Sequence, residues 1–236
     1  MWYLKNQCIK TKRTSIKAIV FLTPILFVTF FTVLSYLGKQ MNFEIFRVSS
    51  LQLFFQIGFT FAMTLTIGLL FRIERKNKAF QNTVIYFSSL KKYYITNFIF
   101  FVLLGFLMIT IGYLLLTFYY GMITYDTSFL TLSYIYVYIV SLIMSLPIIS
   151  FLYFLNTIFN SFLSPALISF MLIIGNFFVG VMGTYLSYMY FYSYLIFSLY
   201  NGYNNIFLFI GSIVYTCVCL YLGFLKFKNN IANGSL

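Results

Sequence analysis

LQLFFQIGFTFAMTLTIGLLFRIERKNKAF, residues 51–80, holds the two facts from which the fold follows. From Leu51 to Phe71 there is no charged residue, and the run is long enough to cross a hydrocarbon core of about 30 Å as a helix. Immediately afterwards, five charges fall between Arg72 and Lys78. A dense basic cluster at the end of an apolar run marks the membrane face where positive residues are retained. The cluster also includes Glu74, one of only three acidic residues in the chain.

The rest of the sequence repeats the first fact. Of 236 residues, 62% are hydrophobic, 23% aromatic and only 8% charged, with a mean hydropathy of +0.95. So little polar surface cannot cover a water-soluble globule of this length. The apolar runs are continuous rather than alternating, which excludes a transmembrane β-barrel. They predict an all-α polytopic membrane protein, a single domain over 1–236 with six transmembrane helices. The spans are 18–37, 51–71, 95–120, 131–155, 162–182 and 206–225. Pro24, Pro147 and Pro165 fall within them, where kinks are expected.

The basic residues set the orientation. Lys5, Lys10, Lys12, Arg13 and Lys17 precede the first span, and Lys226 and Lys228 follow the last. With the six between spans two and three, thirteen basic residues share one side, and Lys39 and Arg47 stand on the other. Both termini are therefore expected in the cytoplasm. The net charge of +12 then implies the anionic membrane surface as partner rather than nucleic acid. Residues 1–17 read as a basic interfacial helix at the N-terminus. Residues 184–205 carry seven tyrosines and no charge, which suits an interfacial or re-entrant helical segment on the outer face.

Several chemistries are excluded. There is no histidine, so His-based zinc sites, Ser-His-Asp triads and His proton relays are absent. Cys8, Cys217 and Cys219 have no metal-ligand spacing and read as small apolar side chains. No ionisable residue lies at the middle of a span, which argues against proton coupling. Gln52, Gln56, Asn97, Asn156 and Asn176 serve as interhelical hydrogen-bond glue or line a substrate path. No GxxxxGK[ST] phosphate loop is present, so energy for any pumping must come from another chain.

The basic cluster has an internal pattern. Glu74 and Lys78 are four apart in the favourable order, and Phe80, Val84 and Phe87 form one apolar stripe. This predicts a short amphipathic cytoplasmic helix with its charges facing outward; a plain stop-transfer loop is the alternative.

The layout of the whole chain, and ERKNKAFQNTVIYFSSLKKYYITNF at 74–98, resembles the permease subunits of type-2 ABC exporters. Glu74 stands at the acidic position, Lys76 to Phe80 at the short helix, Ser88-Ser89 at the turn and Lys91-Lys92 at the basic residues. Asn77 and Lys78 stand where the family commonly has a glycine, and no proline precedes Ser88. The resemblance implies that Glu74, Arg75, Lys76, Lys78 and Phe80 belong to a coupling helix that docks on a cytoplasmic ATP-binding cassette subunit. It implies an extracellular re-entrant segment containing Tyr185, Tyr188, Tyr192 and Tyr194. It also implies a second permease chain, identical or related, and a bacterial plasma membrane location. ATP and Mg would be bound by the partner ATPase, with no cofactor or metal in this chain and no enzymatic activity of its own. The small, aromatic style is similar to lantibiotic-immunity and cytolytic-peptide exporters of Gram-positive bacteria, implying export of amphipathic peptides. A hydrophobic drug or lipid is the alternative cargo. A non-transporting scaffold or sensor partner, or an uncoupled channel, are the alternative roles.

Overall fold

A computed structural model describes residues 11, 14–38, 42–76, 89–125, 130–182, 184–200 and 205–232, and every regular element in it is helical. The elements are α1 (Ile16–Leu37), α2 (Phe43–Leu53), a π-helical turn (Phe54–Gly58) and α3 (Phe59–Lys76). Then come α4 (Leu90–Thr124), α5 (Leu132–Met144), α6 (Leu146–Ile158) and α7 (Leu163–Met182). The tyrosine-rich linker contains α8 (Thr184–Met189), a 3₁₀ turn (Phe191–Ser193) and α9 (Tyr194–Phe197), before α10 (Asn205–Ala232).

Five helices are long and apolar enough to cross a membrane: Ile16–Leu37, Phe43–Arg75, Leu90–Thr124, Leu132–Ile158 and Ile206–Ile231. The chain is thus a helical, multi-pass membrane protein. The remaining expected span is α7, a shorter apolar helix over Leu163–Val179. Most helices overshoot the apolar windows that predict them. At 1.5 Å per residue, the 35 residues of α4 extend about 52 Å, well beyond the hydrocarbon thickness.

Surface composition follows from the solvent. On α1, Ile16, Val20, Pro24, Val28, Thr32 and Ser35 recur at helical spacing and are buried. Phe21, Leu26, Phe30 and Leu37 on its other faces are exposed, as lipid allows and water does not. Threonines within the helices return their hydroxyls to the preceding turn, as in Thr66 to Ala62 O at 2.7 Å. This satisfies a polar group where no water can.

Pro147 sits where the fourth span divides into α5 and α6 at Ser145, the kink expected from a residue without an N–H. The longest packing seam joins α6 to α10. There α10 presents Ser212, Thr216, Cys219 and Gly223 along one buried stripe, so the backbones approach closely. Ser212 Oγ donates to Ile143 O, near the end of α5, at 3.0 Å. Cys219 is buried within it and Cys217 is exposed, and both are free thiols.

One expectation is corrected here. The second span is expected to begin at Leu51, yet residues 43–50 are helical and continuous with it. Asn42 caps the helix, its Oδ1 accepting from the Glu44 N–H at 2.9 Å. Phe43, Phe46 and Ser50 share a face at i, i+3, i+7, with Phe46 and Ser50 buried. The interfacial helix expected over 1–17 lies almost wholly outside the described residues.

Candidate functional site

The charge cluster is built onto the last turn of α3. Met63, Ile67, Leu70 and Phe71 form the buried stripe of that helix, and Glu74 falls on the same stripe one turn further. Glu74 is accordingly only 3% exposed. Tyr93 Oη, from the start of α4, donates to its Oε2 at 3.0 Å. The Tyr93 ring in turn stacks on Phe227 of α10, with centroids 5.8 Å apart and planes at 16°. The outward charged face expected for Glu74 is therefore corrected: helical periodicity carries this carboxylate inward, onto the start of α4.

Arg75 points along a different face. Its Nη1 donates to Asn160 O at 2.9 Å and its Nη2 to Asn156 O. The guanidinium lies over the Phe71 ring, 5.4 Å from its centroid. Asn156 O is a terminal carbonyl of α6, a position where the helix dipole favours a cation. Asn230 of α10 donates to Thr157 O at 2.8 Å beside it. One end of the bundle is thus tied at a single knot joining α3, α4, α6 and α10. Beside the knot lies a hollow of about 580 Å³ lined by Gly68, Arg72, Arg75, Asn160, Ser161 and Phe162. Arg72, on the same side of α3 as Arg75, is exposed. The Lys76 side chain, Lys78 and Phe80 lie outside the described residues.

The tyrosine-rich linker lies against the bundle at the other end. Tyr192 is buried and donates to Ser169 Oγ of α7 at 3.4 Å. Tyr194 donates to Tyr188 O at 2.6 Å, and Tyr190 to Leu172 O at 2.5 Å. Burial pushes the Tyr190 and Tyr194 hydroxyls up to about 12, so both stay neutral at any physiological pH. Ser198 Oγ and Ser141 Oγ lie 3.0 Å apart, and Ser141 Oγ is 2.8 Å from Tyr113 Oη. The hydroxyls of Tyr190, Tyr192 and Tyr194 are thus engaged in hydrogen bonds within the bundle. Tyr185 belongs to α8, and its side chain is outside the described residues.

Between this linker, α2 with its π turn, and α7 lies a second cavity of about 580 Å³. Ser49, Gln52, Gln56 and Asn176 line it together with Phe177 and Phe197. The π turn inserts Gln56 into the apolar run, and irregular turns of this kind often mark functional positions. Asn176 Nδ2 donates to Tyr192 O at 3.3 Å, so it both lines the cavity and holds the linker. The Asn156 side chain bridges no helices: its Nδ2 donates to Leu152 O of the same helix at 2.9 Å and its Oδ1 has no hydrogen-bond partner. The cavity wall offers amides, a hydroxyl and aromatic faces but no charge.

Sequence reasoning missed Tyr93 as the partner of Glu74 and Asn156 as the acceptor for Arg75. It also missed Arg47, which it assigned to the sparsely charged outer side. Arg47 is 3% exposed and its Nη2 donates to Leu199 O at 3.3 Å. The stripe Phe43, Phe46, Arg47, Ser50 behind the Asn42 cap was the available signal. No family model matches the chain, and no curated protein or solved structure is similar to it.

Proposed function

We propose that this chain is the membrane permease subunit of an ATP-driven exporter in a bacterial plasma membrane, with both termini cytoplasmic and six crossings including α7. The observation that carries this reading is the uncharged, amide-lined cavity between α2, α7 and the tyrosine linker. Amides and aromatic faces together accommodate an amphipathic chain, pairing its polar groups without holding it by charge. A scaffold has no use for such a cavity at membrane depth. The linker that closes it is the proposed extracellular re-entrant segment, which would contain Tyr185, Tyr188, Tyr192 and Tyr194.

The drive would enter at the other end. Residues 76–88 follow directly from the Glu74–Arg75 knot, so a push on that segment would reach four helices at once. In this reading Lys76, Lys78 and Phe80 make the docking contacts on an ATP-binding cassette subunit, while Glu74 and Arg75 transmit them. The absence of a phosphate loop from the sequence supports a separate ATPase, with ATP and Mg bound there. A second permease chain would complete the path, and amphipathic peptides are the proposed cargo.

The test is purification from native membranes followed by reconstitution of whatever ATPase accompanies the chain. The expected result is ATP-dependent peptide movement that the double substitution Gln52→Leu, Gln56→Leu reduces at least tenfold. Reversal of Lys76 and Lys78 to glutamate should release the ATPase while the chain still inserts. Peptide flux without nucleotide would replace this reading with a channel, and the absence of any ATPase would replace it with a scaffold.

A further inference from the structure

Arg47 is a cation the proposed transport reading does not use. It is 3% exposed, and its Nη2 makes one hydrogen bond, to Leu199 O at 3.3 Å. Its Nε has no hydrogen-bond partner. A guanidinium has five N–H donors, and a buried one requires charge compensation. Among the described residues no carboxylate pairs with it. Arg47 also lines a pocket of about 350 Å³ together with Ile45, Val48, Ser49, Gln52 and Tyr200. Exposed Glu44 stands on the rim of the same pocket.

Position narrows the chemistry that would suit this guanidinium. Arg47 lies one helical turn, about 6 Å, before the apolar run that begins at Leu51, a position that in a bilayer would set it near the lipid phosphates. Ser49 Oγ lies 2.7 Å from Ser35 Oγ, which brings the end of α1 alongside. Tyr36 and Leu37 there, and Ile45 on the pocket wall, are exposed apolar surface suited to acyl chains. Beside the guanidinium, the Gln52 amide supplies a neutral N–H donor for phosphate oxygens. We infer that Arg47 and its pocket bind the phosphodiester headgroup of an anionic phospholipid, seated at the end of the bundle opposite the Glu74–Arg75 knot. The site stands independently of the transport reading, because it requires neither an ATPase nor a cargo.

The experiment is native mass spectrometry of the full chain in detergent, titrated with phosphatidylglycerol, phosphatidylcholine or inorganic phosphate. The wild-type chain should retain one more tightly held phosphatidylglycerol than Arg47→Gln, whose affinity for that lipid falls about tenfold. Arg47→Lys should keep the lipid with intermediate affinity, which separates loss of charge from loss of fold. Arg72→Gln, at the opposite end, should leave this lipid in place. Glu44→Gln should raise its affinity about twofold by removing a screened like charge. Asp126→Asn should leave the binding unchanged or stronger, although Asp126 lies outside the described residues. Equal retention by wild type and Arg47→Gln would overturn the site, as would equal retention of phosphatidylcholine. Displacement of the lipid by inorganic phosphate, or by an acidic amphipathic peptide, would overturn the lipid assignment.

Discussion

Two arginines at opposite ends of the same continuous helical stretch, residues 43–76, have opposite circumstances. Arg75 has one carbonyl from the last turn of α6 and one from Asn160 just beyond it, a phenyl face beneath it and a carboxylate on the adjacent residue. Arg47 is more deeply buried, yet it holds a single carbonyl at 3.3 Å, where Arg75 holds two; the Nε of each arginine has no hydrogen-bond partner. Charge is therefore used differently at the two ends. At the knot it is internally compensated and ties helices together. At the tyrosine end the helices are held by neutral hydroxyls and amides, and Arg47 is left with donors to spare. A compensated charge is costly to remove, whereas an uncompensated one is costly to keep.

The largest effect is expected at the knot. Arg75→Met leaves Asn156 O and Asn160 O without their donors and removes the cation over Phe71. Hydrogen bonds involving a charged group contribute about 1.5–3 kcal/mol each, so the loss should be about 3 kcal/mol after partial rehydration. Thermal unfolding in detergent would show it as a drop of several degrees. Tyr93→Phe removes one bond to Glu74 and should cost about 2 kcal/mol by the same measure. If either variant melts like wild type, the knot is no tie and the comparison between the two ends collapses.

A smaller effect separates packing from charge at the tyrosine end. A Cβ at Gly211 would stand 2.6 Å from Tyr194 Oη, which is held by Tyr188 O. Gly211→Ala should therefore cost about 1–2 kcal/mol through overpacking, and Tyr194→Phe in the same chain should recover part of it. Gly121, with nothing within 4 Å of its added Cβ, is the control. Gly121→Ala should stabilise by up to about 1 kcal/mol because the backbone is already helical. Equal melting temperatures for the two variants would mean that the linker is not pinned to α10.

How these ends could be read from sequence depends on what carries them. The apolar runs, the break at Pro147 and the helical character of the tyrosine linker were legible, because hydropathy and missing N–H groups act locally. The inward turn of Glu74 was not, because a cluster of five charges reads as a solvated face. Only the continuation of the stripe Met63, Ile67, Phe71 shows that helical phase overrides it. Arg47 was hidden in the opposite way. NFEIFRVSS carries two charges and lies outside the expected span, while the Asn42 cap and the Phe43, Phe46, Ser50 face make it helix. Partners such as Tyr93 for Glu74 are contacts between separate helices, which no single-chain periodicity reveals.

The smallest effect is the most discriminating, because its sign is at issue. In detergent free of anionic lipid, Arg47→Met exchanges an under-bonded buried cation for an apolar side chain of similar reach. The desolvation cost of the charge disappears together with one long hydrogen bond, so stability should change by less than about 1 kcal/mol and in either direction. Added phosphatidylglycerol should then raise the melting temperature of the wild-type chain and leave that of Arg47→Met where it was, since only a state that binds ligand is stabilised by it. A large loss in lipid-free detergent would place Arg47 beside Arg75 as a structural tie. The tyrosine end would then be held by charge as well, and the contrast between the two ends would reduce to the number of carbonyls each arginine reaches.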